Sequence, residues 1–217
     1  MYKTVVFDLD GTLLNTLTDL ADAGNRLCRK YGWPTHERQA YRYFVGNGIP
    51  KLVERLAPAD QRTPAVLEAA LADFKRDYGQ HLRDTPPPNA GIPEMLAKLK
   101  ANGVQLAVFS NKADALAKEV VKDYFGTQYF TIVRGQMTGV APKPAAEGTN
   151  ALLQALHADP ASTLYVGDSN VDVETAHNAN LPCCGAVWGF RTREELNAAG
   201  AEYLAENSDE LYDVIMK

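Results

Sequence analysis

Residues 4–12 read TVVFDLDGT, an apolar and largely β-branched run that ends at two aspartates and a glycine. This pattern predicts a buried strand from Thr4 to Phe7 that breaks at a turn. Asp8 and Asp10 then both lie at the carboxyl end of the strand, where open parallel sheets bind ligands. A carboxylate at Asp8 could attack phosphorus, and one at Asp10 could transfer protons. In isolation the pattern fits an acidic turn equally well, so the function depends on the rest of the chain.

Similar apolar runs recur along the chain, each followed by polar or glycine residues. They span residues 104–109, 129–133, 163–166 and 184–188. Stretches with the apolar spacing of a helix lie between them, as in residues 92–101. Alternating strands and helices predict an α/β fold with a parallel sheet that helices cover on both faces.

The distance between the first two predicted strands indicates an insertion. From Asp8 to Ser110 is 102 residues, whereas a strand-helix-strand crossover needs only about 30. Residues 17–83 have helical periods and few strand-like runs, so they predict a helical domain inserted into a core formed by residues 1–16 and 84–217. Consecutive prolines in residues 85–89 (TPPPN) predict a stiff link back to the core.

Polar residues follow three other core elements. Ser110 and Asn111 follow the second strand and precede a helix, so a hydroxyl and backbone N–H groups are available to bind phosphate. Lys143 lies between two prolines, which restrict the backbone and could aim one ammonium at a fixed point. Asp168 follows a further strand and is a suitable oxygen ligand for Mg²⁺. Each alone also fits a structural role, but together with Asp8 they supply the parts that phosphoryl transfer needs.

In their order along the chain these segments resemble the four motifs of the haloacid dehalogenase superfamily. The matching segments are residues 8–12 (DLDGT), 110–111 (SN), 143 (K) and 167–172 (GDSNVD). The resemblance implies a Rossmann-like core with a helical cap inserted after the first strand. It also implies an Mg²⁺-dependent phosphatase, in which a phosphoryl group passes to an aspartate and then to water.

The resemblance assigns a role to each matching residue. It implies that Asp8 is the nucleophile and that Asp10 is the general acid and base, which also ligates the metal through its carbonyl. The predicted catalytic residues are therefore Asp8 and Asp10, the predicted substrate-binding residues are Ser110, Asn111 and Lys143, and the predicted Mg²⁺ ligands are Asp8, Asp10 and Asp168. Asp172 is expected next to the metal ligands.

Two further segments are similar to the phosphoglycolate phosphatase branch of the superfamily. They are residues 44–49 (FVGNGI) and 188–196 (WGFRTREEL). This resemblance implies 2-phosphoglycolate as the substrate, although pyrophosphatases and sugar-phosphate phosphatases share much of it. We expect residues 46–48 of the cap to face the site, because glycines permit close backbone approach.

Composition restricts the partners of the protein. The chain has 217 residues, of which 46% are hydrophobic, and a formal net charge of -5. This charge argues against a surface that binds nucleic acid or anionic lipid. The amino-terminal sequence lacks the pattern of a secretory signal, so the cytoplasm is the expected location. Three cysteines are expected to be reduced, and a monomer and a homodimer both fit the sequence.

Other functions use similar residues. A phospho-receiver module also combines an aspartate, a lysine and a hydroxyl residue, but it needs no insertion and accepts phosphate on a later strand. Within the superfamily, a phosphosugar mutase would return the phosphoryl group to its substrate. A dehalogenase would lack the acid at Asp10.

Overall fold

The structure, a computed structural model, describes residues 1–81 and 88–217. The first three residues of the predicted link at 85–89 therefore lie outside the described residues. The chain forms two compact units: a core unit of Met1–Asn15 and Pro87–Lys217, and an insert unit of Thr16–Pro86. The domain limits expected from the sequence, at residues 16/17 and 83/84, stay a prediction.

The regular structure described in the insert unit is helical. It comprises α1 (Leu17–Tyr31), α2 (Arg38–Phe44), α3 (Ile49–Leu56), the short 3-10 helix Ala59–Gln61 and α4 (Pro64–Gln80). Helix α4 buries Ala70, Phe74 and Tyr78, which are spaced for one helical face. Helix α3 begins after Gly48, which has a φ of 82° and thus a conformation that favours glycine. The expected contact of residues 46–48 with a substrate stays a prediction.

The core unit is built on a parallel sheet. Its strands are β1 (Thr4–Phe7), β2 (Gln105–Ala113), β3 (Phe130–Gln136), β4 (Thr163–Gly167), β5 (Cys183–Ala186) and β6 (Tyr203–Ala205), in the order β3-β2-β1-β4-β5-β6. Every neighbouring pair of strands is parallel. The chain fills the sheet outward from β1 in one direction and then, from β4, in the other. The carboxyl ends of β1 and β4 thus flank the point at which the strand order reverses, where such sheets bind ligands.

Helices cover both faces of this sheet. They are α5 (Ile92–Ala101), α6 (Asp114–Phe125), α7 (Ala146–Leu156), the 3-10 helix Pro160–Ser162, α8 (Asn170–Asn178), α9 (Arg193–Ala198) and α10 (Ser208–Met216). Val6, Ala107 and Tyr165 point from the sheet into a core shared with α7, α8 and α9, whereas α5 packs with α10. Residues on both faces of β1 are fully buried. The predicted α/β, Rossmann-like fold class is confirmed.

Element limits differ from the sequence prediction at a few places. Strand β2 continues through Ser110 and Asn111 to Ala113, with an irregular register against β3 between Phe109 and Ala113. Ser110 and Asn111, which were expected to follow the strand, are therefore part of it. Helix α5 has the limits predicted for it, and the apolar residues that gave its helical spacing are all buried: Ile92, Met95, Leu96 and Leu99. Among the described residues, no helix is long and apolar enough to span a bilayer.

Candidate active site

Three buried aspartates meet at the carboxyl ends of β1 and β4. Asp8 directly follows β1, and its backbone N–H donates to Val166 O of β4 at 2.8 Å. Asp168 follows β4, and Asp172 lies in the first turn of α8. One oxygen from each of the three carboxylates lies within 4.8 Å of the other two. Acidic residues far apart in the sequence thus come together at the edge of the sheet where this topology places a ligand.

The ammonium of Lys143 lies inside this cluster. Its Nζ is 2.7 Å from Asp172 Oδ1 and 2.9 Å from Asp8 Oδ1, and 2% of its side chain is exposed. It also donates to the hydroxyl of Tyr165 at 3.2 Å and to Phe109 O at 3.3 Å. Burial lowers the pKa of the Lys143 ammonium, but the charges of Asp172 and Asp8 outweigh it and raise the pKa well above its ordinary value. Lys143 is therefore a fixed positive charge.

The single ammonium of Lys143 does not compensate the charge of the buried carboxylates around it. Burial raises the pKa of Asp8 from 3.8 to about 7, although the Lys143 ammonium acts against the rise. Burial and the charge of Asp172 raise the pKa of Asp168 well above its ordinary value. Asp8 Oδ1 is buried and accepts no well-aligned hydrogen bond from the described residues. A divalent cation would supply the missing charge, and carboxylate oxygens are the ligands that Mg²⁺ prefers.

Asp168 is fixed by its surroundings. Its Oδ2 accepts a hydrogen bond from Phe190 N at 2.7 Å, and its Oδ1 accepts one from the Thr12 hydroxyl at 3.2 Å. The backbone of Gly11 and of Gly189 packs so closely on Asp168 that a Cβ atom at either position would overlap the aspartate side chain. The orientation of Asp168 is thus set by its neighbours.

Asp172 uses its two oxygens for different purposes. Oδ1 contacts Lys143, whereas Oδ2 accepts hydrogen bonds from the backbone N–H and the hydroxyl of Ser169, at 3.1 and 2.6 Å. The second set closes a capping box at the start of α8. A Cβ atom on Gly167 would overlap Asp172. The residue expected beside the metal ligands is thus also a member of the acidic cluster.

Asn111 lies next to Lys143, and Ser110 precedes it on β2. The amide of Asn111 exchanges two hydrogen bonds with the Lys143 backbone, from Lys143 N to Oδ1 at 2.9 Å and from Nδ2 to Lys143 O at 3.3 Å. Ser110 Oγ accepts a hydrogen bond from Lys112 N at 3.2 Å. The Asn111 side chain therefore joins β2 to the loop that carries Lys143. The expected contacts of Ser110 and Asn111 with a substrate stay a prediction.

The side chain of Asp10 lies beside an unexpected partner. Lys112 Nζ is 3.1 Å from Asp10 Oδ1 and 3.4 Å from Oδ2, and 2% of the lysine side chain is exposed. The sequence predicts no role for Lys112 or Tyr165, because their local pattern is that of an ordinary lysine at the end of a strand and an ordinary tyrosine inside one. The metal role expected for Asp10, through its carbonyl, stays a prediction.

Comparison with known proteins shows similarity along nearly the whole chain. The model of the family described as Haloacid dehalogenase-like hydrolase matches residues 5–186. A phosphoglycolate phosphatase of Thiobacillus denitrificans is 31% identical over 191 residues, which cover 87% of this chain and 84% of that protein. One of Vibrio vulnificus is 30% identical over 222 residues, which cover 99% and 96%.

A solved structure has the same fold. This structure, of a protein from Lactobacillus delbrueckii subsp. bulgaricus provisionally assigned as a phosphoglycolate phosphatase, superposes with a TM-score of 0.92. It is 28% identical in sequence, and the match covers 99% of this chain and 98% of that one. The similarity therefore includes the segments that carry the candidate site.

Proposed function

This chain belongs to the haloacid dehalogenase-like hydrolases and is a phosphatase, and we propose that it hydrolyses a small phosphorylated metabolite, with 2-phosphoglycolate first among the candidates. The choice of 2-phosphoglycolate is supported by relatives of that name at about 30% identity. The observation that carries the proposal is the cluster of Asp8, Lys143 and Asp168 at the carboxyl ends of the central strands.

In the proposed reaction Asp8 is the nucleophile. One of its oxygens attacks phosphorus, the bond from phosphorus to the leaving oxygen breaks, and Asp10 gives that oxygen a proton. Water then attacks the phosphoaspartate, Asp10 takes a proton from the water, and the bond between phosphorus and the Asp8 oxygen breaks. Inorganic phosphate and the alcohol leave, and Asp8 and Asp10 return to their starting states.

The remaining residues orient the phosphoryl group and balance its charge. Lys143, held by Asp172 and by Tyr165, places one ammonium 2.9 Å from the Asp8 oxygen. Asp8, Asp168 and the carbonyl of Asp10 would hold Mg²⁺, which when bound supplies the charge that favours the ionised form of Asp8 and stabilises the transition state. Ser110 is expected to donate a hydrogen bond to a phosphoryl oxygen.

The test is a set of phosphorylated metabolites assayed with and without Mg²⁺. It includes 2-phosphoglycolate, pyrophosphate and hexose phosphates, and it measures both phosphate release and substrate isomerisation. We expect phosphate release that requires Mg²⁺, with the highest kcat/KM for 2-phosphoglycolate. A higher kcat/KM for pyrophosphate or a sugar phosphate would replace the proposed substrate. Isomerisation with little free phosphate would indicate a mutase, and a stable phosphoprotein without turnover would indicate a receiver module.

A further inference from the structure

A second buried lysine lies close to the reacting groups. Lys112 is the next residue after Ser110 and Asn111, and 2% of its side chain is exposed. Its Nζ lies 3.1 and 3.4 Å from the two oxygens of Asp10, whose side chain is 20% exposed. The two residues are 102 positions apart in the sequence. Strands β1 and β2, which pair in parallel, bring them together.

Contacts of its backbone hold Lys112 in place. The Lys112 N–H donates to Ser110 Oγ at 3.2 Å. On the other side, Gly135 of β3 packs so closely that a Cβ atom there would overlap the carbonyl of Lys112. Lys112 also lies where the pairing of β2 with β3 changes register, and such irregularities redirect a side chain. The ammonium is therefore presented to Asp10 from a constrained backbone.

A buried ammonium is unfavourable unless a charged or polar partner compensates it. Both oxygens of Asp10 lie within hydrogen-bond distance of the Lys112 ammonium, so rotation of the carboxylate would break one of the two contacts. Proton transfer requires the donor and acceptor to be aligned, and a misplacement of about 1 Å can cost about 100-fold in rate. A residue that fixes the rotation of Asp10 thus affects the group on which both proposed proton transfers depend.

We propose that Lys112 is a positioning residue that holds the carboxylate of Asp10 in the orientation used for proton transfer. This inference rests on the proposed function, because it assigns Lys112 a part in the same reaction. Lys112 acts through Asp10 and makes no contact with the substrate. Its removal therefore slows the reaction without weakening substrate binding.

A double-mutant cycle tests this role. The wild type and the variants Lys112→Met, Asp10→Asn and the double variant are compared by kcat and KM for 2-phosphoglycolate, or for the best substrate found. We expect Lys112→Met to lower kcat by roughly 10- to 100-fold, which is less than the loss expected on removal of Asp10 itself. KM should change less than about 2-fold. In the Asp10→Asn background the same substitution should change kcat less than about 2-fold, since its target is gone. An equal loss in both backgrounds, or a loss that lies in KM, would overturn the proposal.

Two further variants control for charge and folding. Lys118→Met removes a lysine that also pairs with an aspartate, Asp114, at 2.7 Å, but its side chain is 57% exposed, so activity should not change. Lys112→Arg retains a cation and should recover at least a third of the activity lost in Lys112→Met. If Lys112→Met does not fold, as judged by circular dichroism, Lys112→Gln takes its place in the cycle with the same criteria.

The leaving group gives an independent readout. p-Nitrophenyl phosphate has a leaving group that needs little protonation, so Lys112→Met should lower kcat/KM, which reports the formation of the phosphoaspartate, less for this substrate than for 2-phosphoglycolate. Equal losses for the two substrates would contradict the inference. A wild type that hydrolyses no phosphate ester would contradict the proposed function itself, whereas an active wild type with a fully active Lys112→Met variant would contradict the role of Lys112 alone.

Discussion

The carboxylate of Asp172 lies 2.7 Å from the ammonium of Lys143, and 2% or less of either side chain is exposed. The same aspartate caps α8 through its other oxygen. The loop that carries Lys143 is thereby attached to the start of a helix that packs on the sheet. The position of the Lys143 ammonium thus depends on a residue that also stabilises the fold.

We expect Asp172→Ala to cost about 1 kcal/mol of unfolding free energy for the lost cap and about 1.5–3 kcal/mol more for the charged hydrogen bond with Lys143. The larger cost of an unpaired buried charge does not arise, because Lys143 keeps its contact with Asp8. Urea unfolding at pH 7 measures the loss. The matched control is Glu195→Ala, which opens the exposed capping box that Glu195 forms with Thr192 at the start of α9. That control should cost about 1 kcal/mol. Equal losses in the two variants would mean that the contact with Lys143 contributes nothing to stability.

Asp8→Asn should abolish phosphate release, because an amide cannot form the proposed phosphoaspartate.

Asp10→Asn should lower kcat by about 10²- to 10⁴-fold, or roughly 3 to 5 kcal/mol of activation free energy, through the loss of acid and base catalysis. Release of inorganic phosphate measures both effects, and circular dichroism verifies the fold of each variant. Full activity in either variant would remove the assigned role of that residue.

The metal-free protein should lose stability as the pH rises. The pKa of Asp8 is about 7 in the folded chain against an ordinary value of 3.8, so the folded state binds the proton more tightly than the unfolded state. The contribution of Asp8 is complete below pH 3.8 and is lost as the pH rises through 7. Asp168, whose pKa is also raised by burial, acts in the same direction.

Urea midpoints measured in EDTA between pH 5 and pH 8 test this effect. The wild type should lose on the order of a few kcal/mol over this range. Asp8→Asn should lose less, because one of the two titrating groups is absent. A wild-type midpoint that rises with pH in EDTA would contradict the charge imbalance inferred at this site.

Binding of Mg²⁺ should raise the thermal midpoint without any substrate. At a Mg²⁺ concentration of about 100 times Kd, linkage gives about 2.7 kcal/mol of added stability. Asp168→Asn should lose most of this rise. The control Glu174→Gln should retain it, since Glu174 is an exposed acid of α8 that accepts a hydrogen bond from Asn170. A thermal scan with increasing MgCl₂, with NaCl matched for ionic strength, makes the measurement. An equal rise in Asp168→Asn would place the cation elsewhere.

The sequence predicts best what depends on local pattern. The limits of β1 and α5 follow from unbroken apolar runs and helical spacing, and Thr4–Phe7 and Ile92–Ala101 are found as expected. Strand β6 (Tyr203–Ala205) has only three residues, and so short a run is not recognisable as a strand from the sequence. Strand β2 continues past Phe109 because Ala113 pairs with Gln136 of β3, and this pairing depends on tertiary structure.

The candidate site divides in the same way. Asp8 and Asp168 can be proposed from the sequence because each is an acid that directly follows a buried strand. Lys112 and Tyr165 were not found, since their significance lies in contacts with Asp10 and Lys143, and parallel strands pair residues that are distant in the chain. Local sequence thus indicates the proposed reacting groups more readily than the residues proposed to orient them.

The close packing of Gly11, Gly167 and Gly189 on Asp168 and Asp172 restricts how this chain can evolve. Even a methyl group at any of the three positions would displace one of the two aspartates. A random mutagenesis library should therefore contain few active clones that differ at these glycines, although none of them has a side chain that could react. At these three positions evolutionary change is limited by lack of space rather than by chemistry.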